Sequence, residues 1–172
     1  MQSKLYERVR KDGSTEYTYA TAGTKPTSIK EIGATAKQTA AVSSQYAKSI
    51  SNAKAISKSL GDAELIFTGH SLGGGTASVN AIVTGKQALT FNAAGISFAT
   101  KLYLGGVKGL FKSYDKSVTL FQMISDPLSI IQDILPVASA VGKIKMVRPG
   151  ISGKGRHSII SMIDGLTNPK PK

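Results

Sequence analysis

A serine between two glycines, directly after a short apolar run, constrains this chain more than any other feature. The run Leu65–Phe67 is β-prone, Gly69, Ser71 and Gly73 follow as Gly-x-Ser-x-Gly, and the next residues can form a helix. A serine at such a strand-to-helix turn is held above the sheet edge in a strained conformation, which needs small neighbours. The helix directs its free N–H groups towards the same point, where they can stabilise an oxyanion. The pattern therefore predicts a nucleophile elbow with the geometry of acyl transfer.

Apolar runs alternate with helical periodicity along the rest of the chain. We expect strands over 15–20, 64–68, 87–92, 117–124 and 143–147, the last at a sheet edge, and helices over 46–60 and 74–83. This alternation predicts an α/β fold with a mainly parallel sheet flanked by helices. A length of 172 residues fits one domain over 1–172. The Pro- and Lys-containing end predicts a disordered tail over 166–172.

A serine hydroxyl needs a neighbouring base, and histidine is the usual one. The chain has two histidines. His70 directly precedes Ser71, so we expect its side chain to point away from the serine and to serve packing or hydrogen bonding. His157 lies in a Gly-containing segment between apolar stretches, where a loop can present it at the sheet edge. By elimination, His157 is the predicted base.

The acid that orients this histidine is expected at the C-terminal end of a strand, between the serine and the histidine in sequence. Asp126 meets both conditions. Asp115 precedes the same strand and Asp164 follows the histidine, so neither fits. Asp133, seven residues beyond Asp126, is the alternative.

A second oxyanion donor is expected in a loop after an earlier strand. Gly23 and Thr24 follow the predicted strand over 15–20. An ordinary strand-ending turn is the alternative interpretation of these two residues.

The net charge of +12 predicts attraction to polyanions, either nucleic acid or an anionic membrane. No aromatic residue lies among the basic residues of 143–172, which argues against a surface that stacks nucleic acid bases. The segment 96–116 interleaves apolar and basic residues, as a membrane-contacting surface does. The predicted contact residues are Lys101, Leu104, Lys108, Phe111 and Lys112. A solvated basic face is the alternative.

The chain has no cysteine, which excludes disulfides and thiolate metal sites. Neither a signal peptide nor an apolar run long enough to span a membrane is visible. The localisation stays open between an intracellular protein, export without a cleaved signal, and delivery by a dedicated secretion system as part of a larger protein.

Five motifs, in this order, resemble those of class 3 lipases, the fungal-type lipase group of α/β-hydrolases. They are Tyr19-Ala-Thr-Ala-Gly23-Thr24, Thr68-Gly-His-Ser-Leu-Gly-Gly-Gly75, Thr90-Phe-Asn-Ala-Ala-Gly95, Ser125-Asp126-Pro127 and Arg156-His157-Ser158. The resemblance covers about residues 15–164. It implies Ser71 as nucleophile, Asp126 as orienting acid and His157 as base, with the N–H of Leu72 and the N–H and hydroxyl of Thr24 as oxyanion donors.

The chain departs from these lipases in two respects. Ala22 stands where the family often has arginine, and the chain is much shorter than the fungal enzymes. The short length and the positive charge look more like the compact phospholipase domains of bacterial antibacterial effectors, which usually face a dedicated immunity protein.

Together these observations predict a serine esterase that acts on carboxylic esters of lipids, with glycerophospholipids as the leading substrate class. The expected partners are the lipid, an anionic membrane surface and a cognate immunity protein; no metal, cofactor or nucleic acid is expected. The alternative is a catalytically weak hydrolase-fold module that binds anionic membranes or a protein. The complete serine, aspartate and histidine set argues against that alternative.

Overall fold

The computed structural model describes residues 2–23, 44–134, 138–150 and 155–169. The strands are β1 (Ser3–Val9), β2 (Thr15–Thr21), β3 (Glu64–His70), β4 (Gln87–Phe91), β5 (Ile96–Ser97), β6 (Val118–Met123), β7 (Ala138–Ser139) and β8 (Lys143–Val147). The helices are α1 (Ser44–Leu60), α2 (Leu72–Thr84), α3 (Phe98–Phe111), α4 (Pro127–Ile134) and α5 (Ile159–Thr167). The predicted strands and helices are confirmed to within two residues at each end.

Six strands form one sheet in the order β1-β2-β3-β4-β6-β8. β1 is antiparallel to β2, and every other neighbouring pair in this sheet is parallel. Thr21 pairs with Gly69, Gly69 with Thr90, and Thr90 with Leu120, so the carboxyl ends of four strands lie side by side. The predicted α/β fold with a mainly parallel sheet is therefore confirmed, and the elbow lies at the edge where the strands end.

The main core lies between the sheet and the helices α1 and α2. Fully buried Phe67 packs there with Ala53 of α1 and with Ala77 and Ala81 of α2. Alanines on both helices let them approach the sheet closely, and burying Phe67 alone contributes about 2–3 kcal/mol. The sheet positions that carry the elbow are consequently held by dense packing directly beneath them.

A second cluster lies on the opposite face of the sheet, where α5 covers the ends of β6 and β8. Met162 of α5 packs there against Met123 and Val147. Ser158 begins the helix, and its hydroxyl oxygen accepts a hydrogen bond from the backbone N–H of Ile160. This cluster fixes α5, and with it the segment that carries His157, over the end of β6.

Two features of the ends of the chain differ from the sequence-based expectation. β1 was not predicted, because all seven of its residues are exposed and so leave no alternating pattern. The prediction of a disordered tail over 166–172 is wrong for residues 166–169. Residues 166 and 167 continue α5, which is held by its own buried residues Met162 and Gly165, and Pro169 forms a β-bridge with Gly150. Residues 170–172 lie outside the described residues.

Among the described residues, none of the helices combines the length and the apolar character needed to cross a bilayer.

Candidate active site

Ser71 occupies the sharp turn between β3 and α2 with φ 56° and ψ −126°. A side-chain carbon on Gly69 would overlap the carbonyl oxygen of Gly73, and one on Gly73 would overlap the carbonyl oxygen of Thr21. Glycine is therefore required on both sides of the serine. The Ser71 N–H donates to the carbonyl of Phe91 at 3.1 Å, which ties the turn to the neighbouring strand.

The segment after β2 packs directly on this turn. A side-chain carbon on Gly23 would lie 2.6 Å from the carbonyl oxygen of His70 and 3.5 Å from Cβ of Ser71. Leu72 is the first residue of α2, where backbone N–H groups have no acceptor within the helix. The predicted donor Thr24 lies outside the described residues, and its neighbour Gly23 is the last residue described before it.

A chain of hydrogen bonds connects Ser71, His157 and Asp126. The Ser71 Oγ lies 2.9 Å from Nε2 of His157, and Nδ1 of the same ring lies 2.7 Å from Oδ1 of Asp126. A carboxylate only accepts, so Nδ1–H donates to Asp126 and leaves Nε2 to accept from the serine hydroxyl. The structure thus brings together the three residues that the sequence singled out.

Asp126 is also the cap of α4. Its second carboxylate oxygen, Oδ2, accepts from the backbone N–H and from the hydroxyl of Ser129, both at 2.9 Å. Pro127 is the first residue of the helix, a position that proline favours. The helix N-terminus favours a negative charge, and the carboxylate is 1% exposed. The alternative, Asp133, lies near the other end of α4.

Backbone strain within the described residues concentrates at this site. The non-glycine residues with positive φ are Ser71, Asn92 and Ser125. Each follows one of three neighbouring strands, β3, β4 and β6, at the same edge of the sheet. Such conformations cost about 1–3 kcal/mol and persist where the surrounding structure enforces them, typically at functional sites.

Comparison with known proteins identifies the family. The sequence profile of the Tle-like phospholipase domain family matches residues 1–172. The chain belongs to this phospholipase family. The extracellular phospholipase A1 of Serratia liquefaciens is 35% identical over 100 residues, which cover 53% of this chain and 31% of that relative.

The phospholipase domain thus matches only about a third of that relative's length. The predicted phospholipase class is confirmed at the level of the family, whereas the assignment to the class 3 lipases is not confirmed.

Two polar residues near the site were not assigned a role from the sequence. Ser129 completes the hydrogen bonding of Asp126, and its position three residues after the aspartate is the pattern of a helix cap. Asn92 follows β4 and is 1% exposed. An Asn in the turn directly after a buried strand is the signal that could have marked it.

The predicted membrane-contact residues of the phospholipase domain differ in their exposure. Leu104 is half-buried and packs against the core cluster that contains Tyr46 and Ile96, and its contact with a membrane stays a prediction. It lies one turn after the buried Thr100 of α3. The Lys101 ammonium donates to the hydroxyl of Ser139 at 2.7 Å, and burial lowers the pKa of Lys101.

The remaining predicted contacts are at the second half of α3. Lys108 and Lys112 are exposed, whereas the side chain of Phe111 lies outside the described part. Exposed apolar side chains on α3 are instead Phe98, Leu102, Tyr103 and Val107. Gly105 and Gly106 have non-helical backbone angles and kink the helix between these positions.

Within the part of the chain that the structure describes, no group of three or more metal-ligating side chains occurs.

Proposed function

We propose that this domain is a phospholipase A that hydrolyses carboxylic esters of glycerophospholipids through an acyl-serine intermediate. The observation that carries the proposal is the hydrogen-bonded chain from Ser71 through His157 to Asp126 at a strained strand-to-helix turn. Membership of a phospholipase family supports the substrate class.

In the first half of the reaction, Ser71 Oγ attacks the ester carbonyl carbon while its proton passes to Nε2 of His157. Asp126 stabilises the imidazolium that forms, because its carboxylate accepts from Nδ1–H. The developing oxyanion is held by the N–H groups of Leu72 and Thr24. The contact of Gly23 with the turn supports this role for the residue that follows it.

The tetrahedral intermediate collapses when His157 returns the proton to the leaving glycerol oxygen. A lysophospholipid departs, and the fatty acid remains esterified to Ser71. Water, deprotonated by His157, then attacks this ester and releases the fatty acid and the serine. The two steps need no metal or cofactor.

The relative from Serratia liquefaciens is named a phospholipase A1. We extend this preference to the present domain, so that the ester cleaved is the one at glycerol position 1. A lipid with different acyl chains at positions 1 and 2 distinguishes the alternatives, because each position yields a different fatty acid.

We further propose that the domain works at an anionic membrane surface as part of a bacterial effector. The exposed Tyr103 and Val107, with Lys108 and Lys112 nearby in sequence, support contact of α3 with a bilayer. An effector of this kind can also hydrolyse the lipids of the cell that makes it, so the partner that we propose is a cognate immunity protein.

The test is incubation of the protein with mixed phospholipid vesicles, followed by mass spectrometry of the products. We expect lysophospholipid and free fatty acid from the wild type, and a loss of about 10³-fold or more in rate for Ser71→Ala. A Ser71→Ala variant that keeps a tenth of the wild-type hydrolysis rate would place the nucleophile elsewhere. A folded wild type that releases no product but binds vesicles would favour the catalytically weak binding module.

A further inference from the structure

The residues around His157 are attached to three neighbouring strands by side chains. His70, the last residue of β3, has Nε2 at 2.6 Å from the carbonyl oxygen of His157. Asn92, after β4, donates from Nδ2 to the carbonyl of Arg156 at 3.1 Å. Arg156 itself donates from Nη1 to the carbonyl of Ile124, after β6, at 3.2 Å. Two successive carbonyls of this segment therefore accept from side chains at two adjacent strand ends.

The bond to His70 defines the state of its ring. A carbonyl oxygen only accepts, so Nε2 of His70 carries a proton and donates it. Burial, together with the positive charge that His157 acquires, lowers the pKa of His70 to about 4. The ring is consequently neutral when the enzyme works near neutral pH.

The two imidazole rings lie 4.8 Å apart at an angle of 45°. During the reaction His157 becomes an imidazolium, and a neutral ring beside it does not oppose that charge as a second cation would. His70 can therefore hold the backbone of the base without competing for its proton.

Asn92 joins the base to the strand that leads to the acid. The side-chain Oδ1 of Asn92 accepts from the backbone N–H of Met123 at 2.8 Å. The backbone N–H of Asn92 donates to the carbonyl of Phe121 at 2.9 Å. In the side-chain amide of Asn92, Oδ1 therefore binds β6 and Nδ2 binds the segment of His157. Since Asp126 follows β6 by three residues, this side chain contributes to the spacing between acid and base.

We propose that His70 and Asn92 are positioning residues, which hold the backbone at Arg156 and His157 so that Nε2 of His157 stays within hydrogen-bond reach of Ser71. The inference rests on the proposed function, because positioning has meaning only if Ser71 and His157 react. A shift of about 1 Å in such a group can cost about 10²-fold in rate.

Four variants test the proposal by their kcat and KM on a short-chain soluble ester. His70→Leu removes the donor, whereas His70→Gln retains an N–H at a similar reach. Asn92→Asp keeps the acceptor for Met123 and loses the donor to Arg156. Thr68→Val is the matched control, because the Thr68 hydroxyl donates to the carbonyl of Leu89 at 2.7 Å on the same two strands.

We expect kcat to fall at least tenfold in His70→Leu and Asn92→Asp with KM changed less than about twofold. His70→Gln should recover most of the rate, and Thr68→Val should keep it. Equal losses in His70→Leu and His70→Gln, or a wild-type kcat in Asn92→Asp, would overturn the proposal. If His70→Leu does not fold, the comparison of His70→Gln, Asn92→Asp and Thr68→Val decides.

The two proposals fail separately. A wild type with no Ser71-dependent hydrolysis refutes the proposed function. Ser71-dependent hydrolysis that is insensitive to loss of both donors refutes only the positioning role.

Discussion

At the scale of single residues, Asp126 shows how one carboxylate serves two tasks. One oxygen orients His157, and the other caps α4 through Ser129. The cap fixes the direction of the carboxylate, so the histidine receives a hydrogen bond acceptor that cannot rotate away. Fold stability and the proposed catalysis therefore depend on the same side chain.

This double role predicts graded effects on kcat. Asp126→Asn should lower kcat by about 10⁴-fold, because an amide cannot hold the reactive tautomer of the histidine. Ser129→Ala removes one of the two bonds to Oδ2 and should cost only about three- to tenfold, since the backbone N–H stays. Asp133→Asn is the control and should keep kcat within about twofold. Kinetics on a soluble ester measure all three, and a larger loss in Asp133→Asn than in Asp126→Asn would contradict the assignment.

Site residues that directly follow a recognisable strand could be predicted from the sequence. Ser71 and Asp126 each follow an apolar strand, and His157 remained by elimination. The turn after β4 marks Asn92 in the sequence, but its partner could not be predicted, because the bond to Arg156 spans 64 residues. The partial burial of Leu104 could not be predicted, because the neighbouring buried residue of α3 is the polar Thr100, which conceals the inward face of the helix.

At the scale of elements, α3 carries one of the exposed apolar surfaces of the domain. Tyr103 and Val107 are 62% and 69% exposed. Gly106, with φ 57°, kinks the helix between them. The sequence marked this segment as apolar and basic but could not say which side chains face outward, because the kink interrupts the helical period.

Inserting these side chains into a bilayer would remove apolar surface from water, and each fully buried side chain contributes about 1.5–3 kcal/mol. Tyr103→Ser with Val107→Ser should therefore weaken binding to anionic vesicles at least tenfold in a sedimentation assay, without changing turnover of a soluble ester. Tyr6→Ser with Val9→Ser is the matched control, since these residues of β1 are 51% and 65% exposed. Equal effects of the two pairs would argue against α3 as the bilayer contact.

At the scale of the whole molecule, His70 links folding to pH. Burial, and secondly the charge of His157, lower the pKa of its side chain from 6.5 to about 4, whereas Asp126 acts in the opposite direction. Between these two values the unfolded chain binds the proton and the folded chain does not, so the free energy of unfolding falls as the pH falls. Above pH 6.5 the contribution is fully present.

Urea unfolding at pH 7 and pH 5 measures this effect. The wild type should lose about 1–2 kcal/mol more stability than His70→Gln over this interval, because glutamine does not titrate. The difference between the two proteins isolates His70 from the other titrating groups. Identical losses in both proteins would show that His70 binds its proton equally well in the folded state.

The fold class, an α/β fold with a mainly parallel sheet, could be predicted from the sequence, because alternating strands and helices leave few alternatives to parallel pairing. The order of the strands could not, since it depends on which edges meet in space. β1 illustrates the limit: it is defined by seven residue pairs with β2 and not by any burial of its own.

The strand order has a consequence for synthesis on the ribosome. From β2 onwards, neighbours in the sheet follow in chain order through β3, β4, β6 and β8, so each strand can join an edge that already exists. The elbow with Ser71 can form while β8 is still unmade, whereas residues 155–158 emerge after it. Under the proposed mechanism, a growing or truncated chain therefore carries a shaped but unreactive serine. Under this mechanism, hydrolysis of lipids begins only after His157 has been synthesised and has packed against Ser71.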